Sequence, residues 1–211
     1  MYKYEALIRY IDDNGDVIPP YKFLPVAKKA KLSSKILKLM MHECLDFIKL
    51  KQKIVAVNIS FDDIRNKDTM EYILHLLEEN KEVSSSLHFE LLETEEIEDF
   101  GLVRKFIEMV HKYGCKVGVD DFGAGYSNFN MLEALKVDFI KIDGSLIKSI
   151  NTDINQEIIV DTIASYAKRT GVETVAEFVS SKGIYDKIKF LGINYAQGWH
   201  FGQAVSIDEI N

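Results

Sequence analysis

Residues 116–129 read KVGVDDFGAGYSNF and contain an apolar run that ends on two acidic residues. A β-branched apolar run ends on two adjacent carboxylates, Asp120 and Asp121, and a glycine-rich turn follows them. A short apolar run bounded by a turn predicts a buried strand. Two neighbouring negative charges at the end of that strand repel each other, so a compensating positive charge is expected nearby. That charge has to come from other segments of the chain or from a bound ion that lies close to the end of this strand.

Strand-like and helical patterns alternate along most of the chain. Such alternation predicts crossover connections and a mainly parallel sheet, and therefore an α/β protein. Seven strands are predicted, which is one short of a TIM-like (β/α)₈ barrel, so we expect that fold without its first strand. The predicted strands are YEALIRYI, IVAVNIS, LHFELLE, KVGVDD, VDFIKID, ETVAE and INYAQ, and the helices include residues 33–50, 68–80, 100–114 and 155–171.

Composition excludes several classes of protein. The 211 residues, 47% of them hydrophobic, suit one domain spanning residues 1–211. No apolar run approaches the ~18 residues of a membrane helix and no signal peptide follows Met1, so we expect a cytoplasmic protein without membrane contact by this segment. Cys44 and Cys115 lie far apart, as in a reduced protein. A net charge of −7 argues against binding to duplex nucleic acid.

Polar side chains close most of the predicted strands. The carboxyl ends of parallel barrel strands converge on one face, so these side chains are expected to share a cavity. Helix capping would account for one or two of them, but not for so many. The residues concerned are Glu5 in the first strand, Asn58, Glu90, Asp120, Asp121, Lys141, Asp143, Glu177 and Gln197.

The carboxylates of this cavity require compensating charge. Two of them ~4 Å apart would repel by about 4 kcal/mol at an effective dielectric near 20. Two divalent cations and Lys141 would balance five carboxylates, namely Glu5, Glu90, Asp120, Asp121 and Glu177. Oxygen ligands suit Mg²⁺ or Mn²⁺ rather than zinc. Two such ions are the standard arrangement for attack of water on a phosphodiester.

Seven motifs occur in order along the chain and resemble those of a known family. They are YEALIR (4–9), VNIS (57–60), FELLE (89–93), DDFGAGYSNF (120–129), DFIKID (138–143), VAE (175–177) and QGWHFG (197–202). The sequence resembles the EAL domain family of bacterial cyclic di-GMP phosphodiesterases. The resemblance implies a TIM-like barrel that hydrolyses cyclic di-GMP to linear pGpG with two Mg²⁺ or Mn²⁺ ions. It also implies a homodimer, and it allows fusion to sensor or GGDEF domains in a longer protein.

The resemblance also implies roles for individual residues. The first metal would be held by Glu5, Asn58, Glu90 and Asp120. Asp120 would bridge to the second metal, whose site Asp121 completes. The catalytic residues would be Asp121, Lys141, which orients and helps activate water, and Glu177, which is either a ligand or the base. Substrate would contact Leu7, Arg9 and Gln197, and Glu93 would anchor the loop after Asp121.

Several positions depart from the usual family pattern. The strand carrying YQPI that usually precedes YEALIR is not found ahead of it. The departures leave the implied metal ligands in place. They bear on the rate of turnover and on the way in which the loop after Asp121 couples metal binding to dimerisation in the family. The substituted positions are Lys28 for glutamate, Leu92 and Ala124 for threonine, Phe178 for glycine, Ser180 for glutamate and Ala204 for proline.

The sequence is also compatible with two other functions. One is an EAL-type receptor or interaction module that binds cyclic di-GMP without turning it over. The other is a barrel enzyme that forms a Schiff base on Lys141, which would require an uncharged, desolvated pocket around the amine.

Overall fold

A seven-stranded parallel sheet forms the frame of the protein in the computed structural model, which describes residues 3–92, 99–124 and 129–210. Its strands lie side by side in chain order, because each crossover helix places the next strand beside the last. The strands are β1 (Lys3–Ala6), β2 (Tyr10–Ile11), β3 (Val17–Ile18), β4 (Ile54–Ile59), β5 (Leu87–Leu91), β6 (Val117–Phe122), β7 (Phe139–Ile142), β8 (Glu173–Ala176) and β9 (Tyr195–Ala196). Strands β2 and β3 form a separate ribbon.

Helices connect the strands and cover the outer face of the sheet. The four helices predicted over residues 33–50, 68–80, 100–114 and 155–171 are present, and shorter helices follow several strands. No helix of the described chain is both long enough and apolar enough to span a bilayer. The helices are α1 (Pro20–Lys29), α2 (Ser33–Lys51), α3 (Phe61–Arg65), α4 (Lys67–Glu79), α5 (Phe100–His111), α6 (Phe129–Leu135), α7 (Gly144–Ile147), α8 (Ile154–Thr170) and α9 (Lys182–Phe190), with short 3₁₀ turns at Ser84–Ser86 and Ile207–Glu209.

Side chains alternate between the two faces of each strand. The face covered by helices carries the apolar core, and the inner face carries the candidate site. In β5, Phe89 points toward the helices and packs edge-on against Phe106 of α5, with ring centroids 5.3 Å apart. Its neighbour Glu90 therefore points to the inner face of the sheet. The apolar core lies between sheet and helices, and the polar residues of the strands are left on the inner face.

All seven predicted strands of the parallel sheet are confirmed, but the first is shorter than predicted. YEALIRYI was expected to be one strand, whereas β1 ends at Ala6 and Tyr10 belongs to the antiparallel ribbon. The ribbon turns between β2 and β3, where Asp12 Oδ1 accepts hydrogen bonds from the backbone amides of Asn14 and Asp16, each at 2.9 Å. The predicted α/β fold with a parallel sheet in chain order is confirmed.

Candidate metal and active site

Lys141 lies at the centre of the carboxylates on the inner face. It belongs to β7, and its side chain is only 2% exposed. Such burial of a lysine requires partners, because an isolated ammonium is strongly disfavoured away from water. Its Nζ atom lies 3.0 Å from Glu5 Oε2, 3.0 Å from Glu90 Oε2, 2.8 Å from Asp120 Oδ1 and 2.8 Å from Glu177 Oε1.

These carboxylates come from strand ends, as the sequence predicted. Glu5, Glu90 and Asp120 lie near the carboxyl ends of β1, β5 and β6, and Glu177 directly follows β8. One oxygen from each of Glu5, Glu90 and Asp120 lies within 4.8 Å of the others. The parallel sheet therefore brings residues far apart in sequence into one cluster.

The end of β6 contains an irregularity that brings both aspartates to the site. Neighbouring side chains of a regular strand point to opposite faces, so Asp120 and Asp121 would not be expected to share a ligand. The pairing of β6 with β7 shifts register between Val119 and Phe122, and Asp121 has a left-handed backbone with φ of +53°. With this bulge, oxygens of Asp120, Asp121 and Glu177 lie within 4.8 Å of one another.

Several buried oxygens of the cluster accept no hydrogen bond from the described part of the chain, and they fit divalent cations. Asn58 Oδ1, Glu90 Oε2 and Asp120 Oδ1 are buried and accept no hydrogen bond among the described residues. The last two lie 3.0 and 2.8 Å from Lys141 Nζ as ion pairs, but four carboxylates surround this ammonium and it has only three protons to donate. Buried acceptors without donors are rare, and an all-oxygen set of carboxylates and an amide suits Mg²⁺ or Mn²⁺.

The buried environment shifts the pKa values of the cluster in two directions. Burial raises the pKa of Glu90 to about 8 and that of Glu177 to about 7, and in both cases it outweighs the opposing charge of Lys141. Burial would also raise the pKa of Glu5, but Lys141 and the hydrogen bonds from Gln197 and Asn58 lower it below its ordinary value. Without cations, protons therefore supply part of the missing positive charge.

Lys141 remains protonated in this environment. Burial alone would lower the pKa of its amine, but the surrounding carboxylates, Glu90 first among them, raise it well above its ordinary value. A Schiff-base enzyme needs a neutral amine, so the geometry argues against that hypothesis.

The structure brings most of the predicted site residues together. Gln197 Nε2 donates to Glu5 Oε2 at 2.9 Å, and Asn58 Nδ2 donates to Glu5 Oε1 at 3.2 Å. Leu7 and Arg9 lie on exposed chain after β1, where Arg9 Nη1 donates to the Ile8 carbonyl at 2.9 Å. Neither forms a hydrogen bond or an ion pair with the carboxylate cluster among the described residues. Glu93 lies outside the described residues.

One polar cluster at the amino ends of the same strands was missed in the sequence. Lys3, Lys116 and Tyr195 converge on Glu173, at the opposite ends of the strands that carry the site. A signal existed in the alternation of Lys3 and Glu5, because residues two apart in a strand share a face. Asp143, by contrast, serves as the N-cap of α7, where its side chain accepts a hydrogen bond from the Ser145 amide at 2.9 Å.

The chain is thus an α/β protein whose parallel sheet holds a carboxylate cluster and a buried lysine at its strand ends. The model of the EAL domain family matches residues 1–204, and the chain belongs to this family. A similar curated protein is the cyclic di-GMP phosphodiesterase PdeB of Shewanella oneidensis, 29% identical over 204 residues. That match covers 94% of this chain and 24% of PdeB, so the chain spans about a quarter of its relative's length.

Solved structures show the same fold. A complex of the PaMucR phosphodiesterase with c-di-GMP superimposes with a TM-score of 0.86 at 26% identity, covering 94% of this chain and 83% of the other. The FimX EAL domain from Pseudomonas aeruginosa, bound to c-di-GMP, superimposes with a TM-score of 0.89, covering 97% of this chain and 84% of the other. At 24% identity the second likeness concerns the fold alone. The curled parallel sheet is thus that of a TIM-like EAL domain.

Proposed function

We propose that residues 1–211 form a domain that hydrolyses cyclic di-GMP to linear pGpG with two divalent cations, Mg²⁺ or Mn²⁺. One observation carries the proposal: two carboxylate triads share Asp120 beside a buried lysine. A shared carboxylate can bridge two cations, which is the arrangement used for in-line displacement at phosphorus. The similarity to proteins named as cyclic di-GMP phosphodiesterases supports the choice of substrate.

The described residues divide into two ligand sets. The first cation would be held by Glu5, Asn58, Glu90 and Asp120, and the second by Asp120 and Asp121 beside Glu177. When bound, the cations would acidify water and stabilise negative charge on the phosphate. Their charge would also replace the protons that Glu90 and Glu177 retain in the cation-free protein.

Lys141 and Glu177 are suited to orienting water and handling its proton. Lys141 stays charged, so it would donate a hydrogen bond and stabilise a developing negative charge rather than accept a proton. Glu177 contacts Lys141 at 2.8 Å and has a pKa of about 7, near the pH at which a general base works best. Glu177 can serve either as this base or as a ligand.

The substrate would reach the cluster past the exposed chain that follows β1. Arg9 could exchange its hydrogen bond with the Ile8 carbonyl for one to a substrate phosphate, and a guanidinium suits such an anion. Leu7, 43% exposed, would offer an apolar surface to the nucleotide. Gln197, which holds Glu5 at 2.9 Å, would contact nucleotide or water with its remaining amide capacity.

A receptor that binds cyclic di-GMP without turnover is the second candidate, and one residue favours it. Phe178 directly follows Glu177 and has a left-handed backbone with φ of +51°, a conformation that glycine adopts far more readily than phenylalanine. Strain at this position could hold Glu177 in a geometry that binds but does not react.

The direct test is to incubate the protein with cyclic di-GMP and Mg²⁺ or Mn²⁺, with and without EDTA, and to separate the products by chromatography. We expect pGpG only when metal is present, and none from Asp120→Asn, which removes the shared charge at nearly constant shape. Intact cyclic di-GMP that nevertheless stays bound to the metal-loaded protein would establish the receptor instead.

A further inference from the structure

The first and last strands of the parallel sheet face each other across a gap that side chains bridge. β1 pairs with β4 along one edge, and no strand of the described chain pairs with its other edge. β9 pairs with β8 alone among the described strands. An edge without a paired strand among the described residues leaves backbone N–H and C=O groups without ladder partners. Side-chain contacts are what the described residues offer on that side of β1.

Two bridges cross the gap at successive levels of β1. At the level of the carboxylate cluster, Gln197 Nε2 donates to Glu5 Oε2 at 2.9 Å. Two residues earlier on the same face, Lys3 Nζ donates to Glu173 Oε2 at 3.1 Å and lies 3.7 Å from the centroid of the Tyr195 ring. Lys3 thus joins β1 to both β8 and β9.

We propose that Lys3 is a positioning residue that holds Glu5 in its place as a cation ligand. The inference rests on the proposed function, which assigns Glu5 to a cation. Lys3 acts through the backbone of β1: its contacts with Glu173 and Tyr195 fix the unpaired edge of a strand only four residues long. Metal ligands held by surrounding contacts bind more tightly, and losing such a contact typically weakens binding by about ten- to a hundredfold.

Lys116 provides a matched control for Lys3. Its Nζ lies 3.1 Å from the same oxygen, Glu173 Oε2, but its backbone directly precedes β6, which pairs with β5 and with β7. Replacing either lysine by methionine removes one positive charge from the same acid. Only replacing Lys3 releases the unpaired edge of β1.

The experiment titrates Mn²⁺ into the full chain by calorimetry for the wild type, Lys3→Met, Lys3→Arg and Lys116→Met. We expect Lys3→Met to weaken Mn²⁺ binding by about tenfold, Lys3→Arg to restore most of it, and Lys116→Met to leave it unchanged or slightly tighter. The direction is diagnostic, because loss of a positive charge by itself strengthens the binding of a cation. A weakening can therefore come only from displaced ligands.

Hydrogen exchange of the cation-free protein tests the positioning separately. Amides of β1 should exchange faster in Lys3→Met than in Lys116→Met, whereas amides of β6 should not differ. Equal Mn²⁺ affinities in the two methionine variants, or equal exchange in β1, would overturn the inference. Wild-type protein that binds no Mn²⁺ would contradict the proposed function instead, while the exchange comparison would still decide whether Lys3 fixes β1.

Discussion

Glu90 combines deep burial with a raised pKa, so its ionisation would respond to a bound cation. It lies inside the sheet with its Oε2 atom lacking a hydrogen bond, and burial raises its pKa to about 8. Ionising Glu90 in the cation-free protein therefore costs free energy that a divalent cation would offset. This makes the stability of the cation-free protein sensitive to pH.

We predict that the free energy of unfolding in EDTA falls as pH rises between about 4.5 and 8. The folded pKa of Glu90 lies above the value of 4.5 for an exposed glutamate, so the folded state binds more protons than the unfolded state across this range. Glu177, with a pKa of about 7, contributes in the same direction. Urea unfolding at several pH values measures the slope, and Glu90→Gln should make it shallower. An unchanged slope in that variant would show that Glu90 ionises freely.

Lys141 carries the opposite charge, and its removal should destabilise the protein strongly. Lys141→Met leaves Glu5, Glu90, Asp120 and Glu177 without their shared cation. Loss of one partner of a buried ion pair typically costs about 3–5 kcal/mol, and uptake of protons by the acids reduces that figure. We expect a loss of roughly 2–4 kcal/mol by denaturation in EDTA and partial recovery in Mn²⁺.

The control for Lys141→Met is Lys182→Met. Lys182 forms an exposed ion pair with Asp186, so its loss should change the free energy of unfolding by less than about 1 kcal/mol. Similar losses in the two variants would contradict a central structural role for Lys141. In the proposed function Lys141→Met also loses turnover by orders of magnitude, since no other described cation contacts the cluster.

Among the secondary-structure elements, β6 ends in a feature that its own sequence predicts only in part. Its apolar run and two aspartates are local, whereas its register depends on the pairing with β7. The β-branched run and the two aspartates were readable in the sequence because they concern consecutive residues. The register shift between Val119 and Phe122 was not, because a bulge depends on how β6 pairs with β7. The left-handed backbone at Asp121 explains how adjacent aspartates can serve one site.

Substitutions at Asp121 should distinguish its effect on stability, through the left-handed backbone, from its effect on turnover, through the carboxylate. Asparagine adopts the left-handed region at least as readily as aspartate, whereas alanine does so at a cost of about 1–2 kcal/mol. We therefore expect Asp121→Asn to retain stability in EDTA and Asp121→Ala to lose about 1 kcal/mol or more. Both should lose most turnover of cyclic di-GMP. Near-normal turnover by Asp121→Asn would remove Asp121 from the proposed second cation site.

At the scale of the whole molecule, the order of strands was predictable and the closure of the sheet was not. Alternating strand and helix patterns, with polar strand ends, predicted the parallel sheet and the cluster around Lys141. The contact of Lys3 with Glu173 joins residues 170 apart, and that with Tyr195 joins residues farther apart still, separations at which local periodicity carries no information. The break between β1 and the ribbon was missed because apolar residues continue through it.

In the proposed function, water attacks cyclic di-GMP at the carboxylate cluster around Lys141. The most direct measurement is mass spectrometry of the product formed in heavy-oxygen water by the Mn²⁺-loaded protein. We expect linear pGpG with one heavy oxygen atom in its terminal phosphate, and no product in EDTA. Cyclic di-GMP recovered intact and unlabelled from the metal-loaded protein would contradict the proposed function.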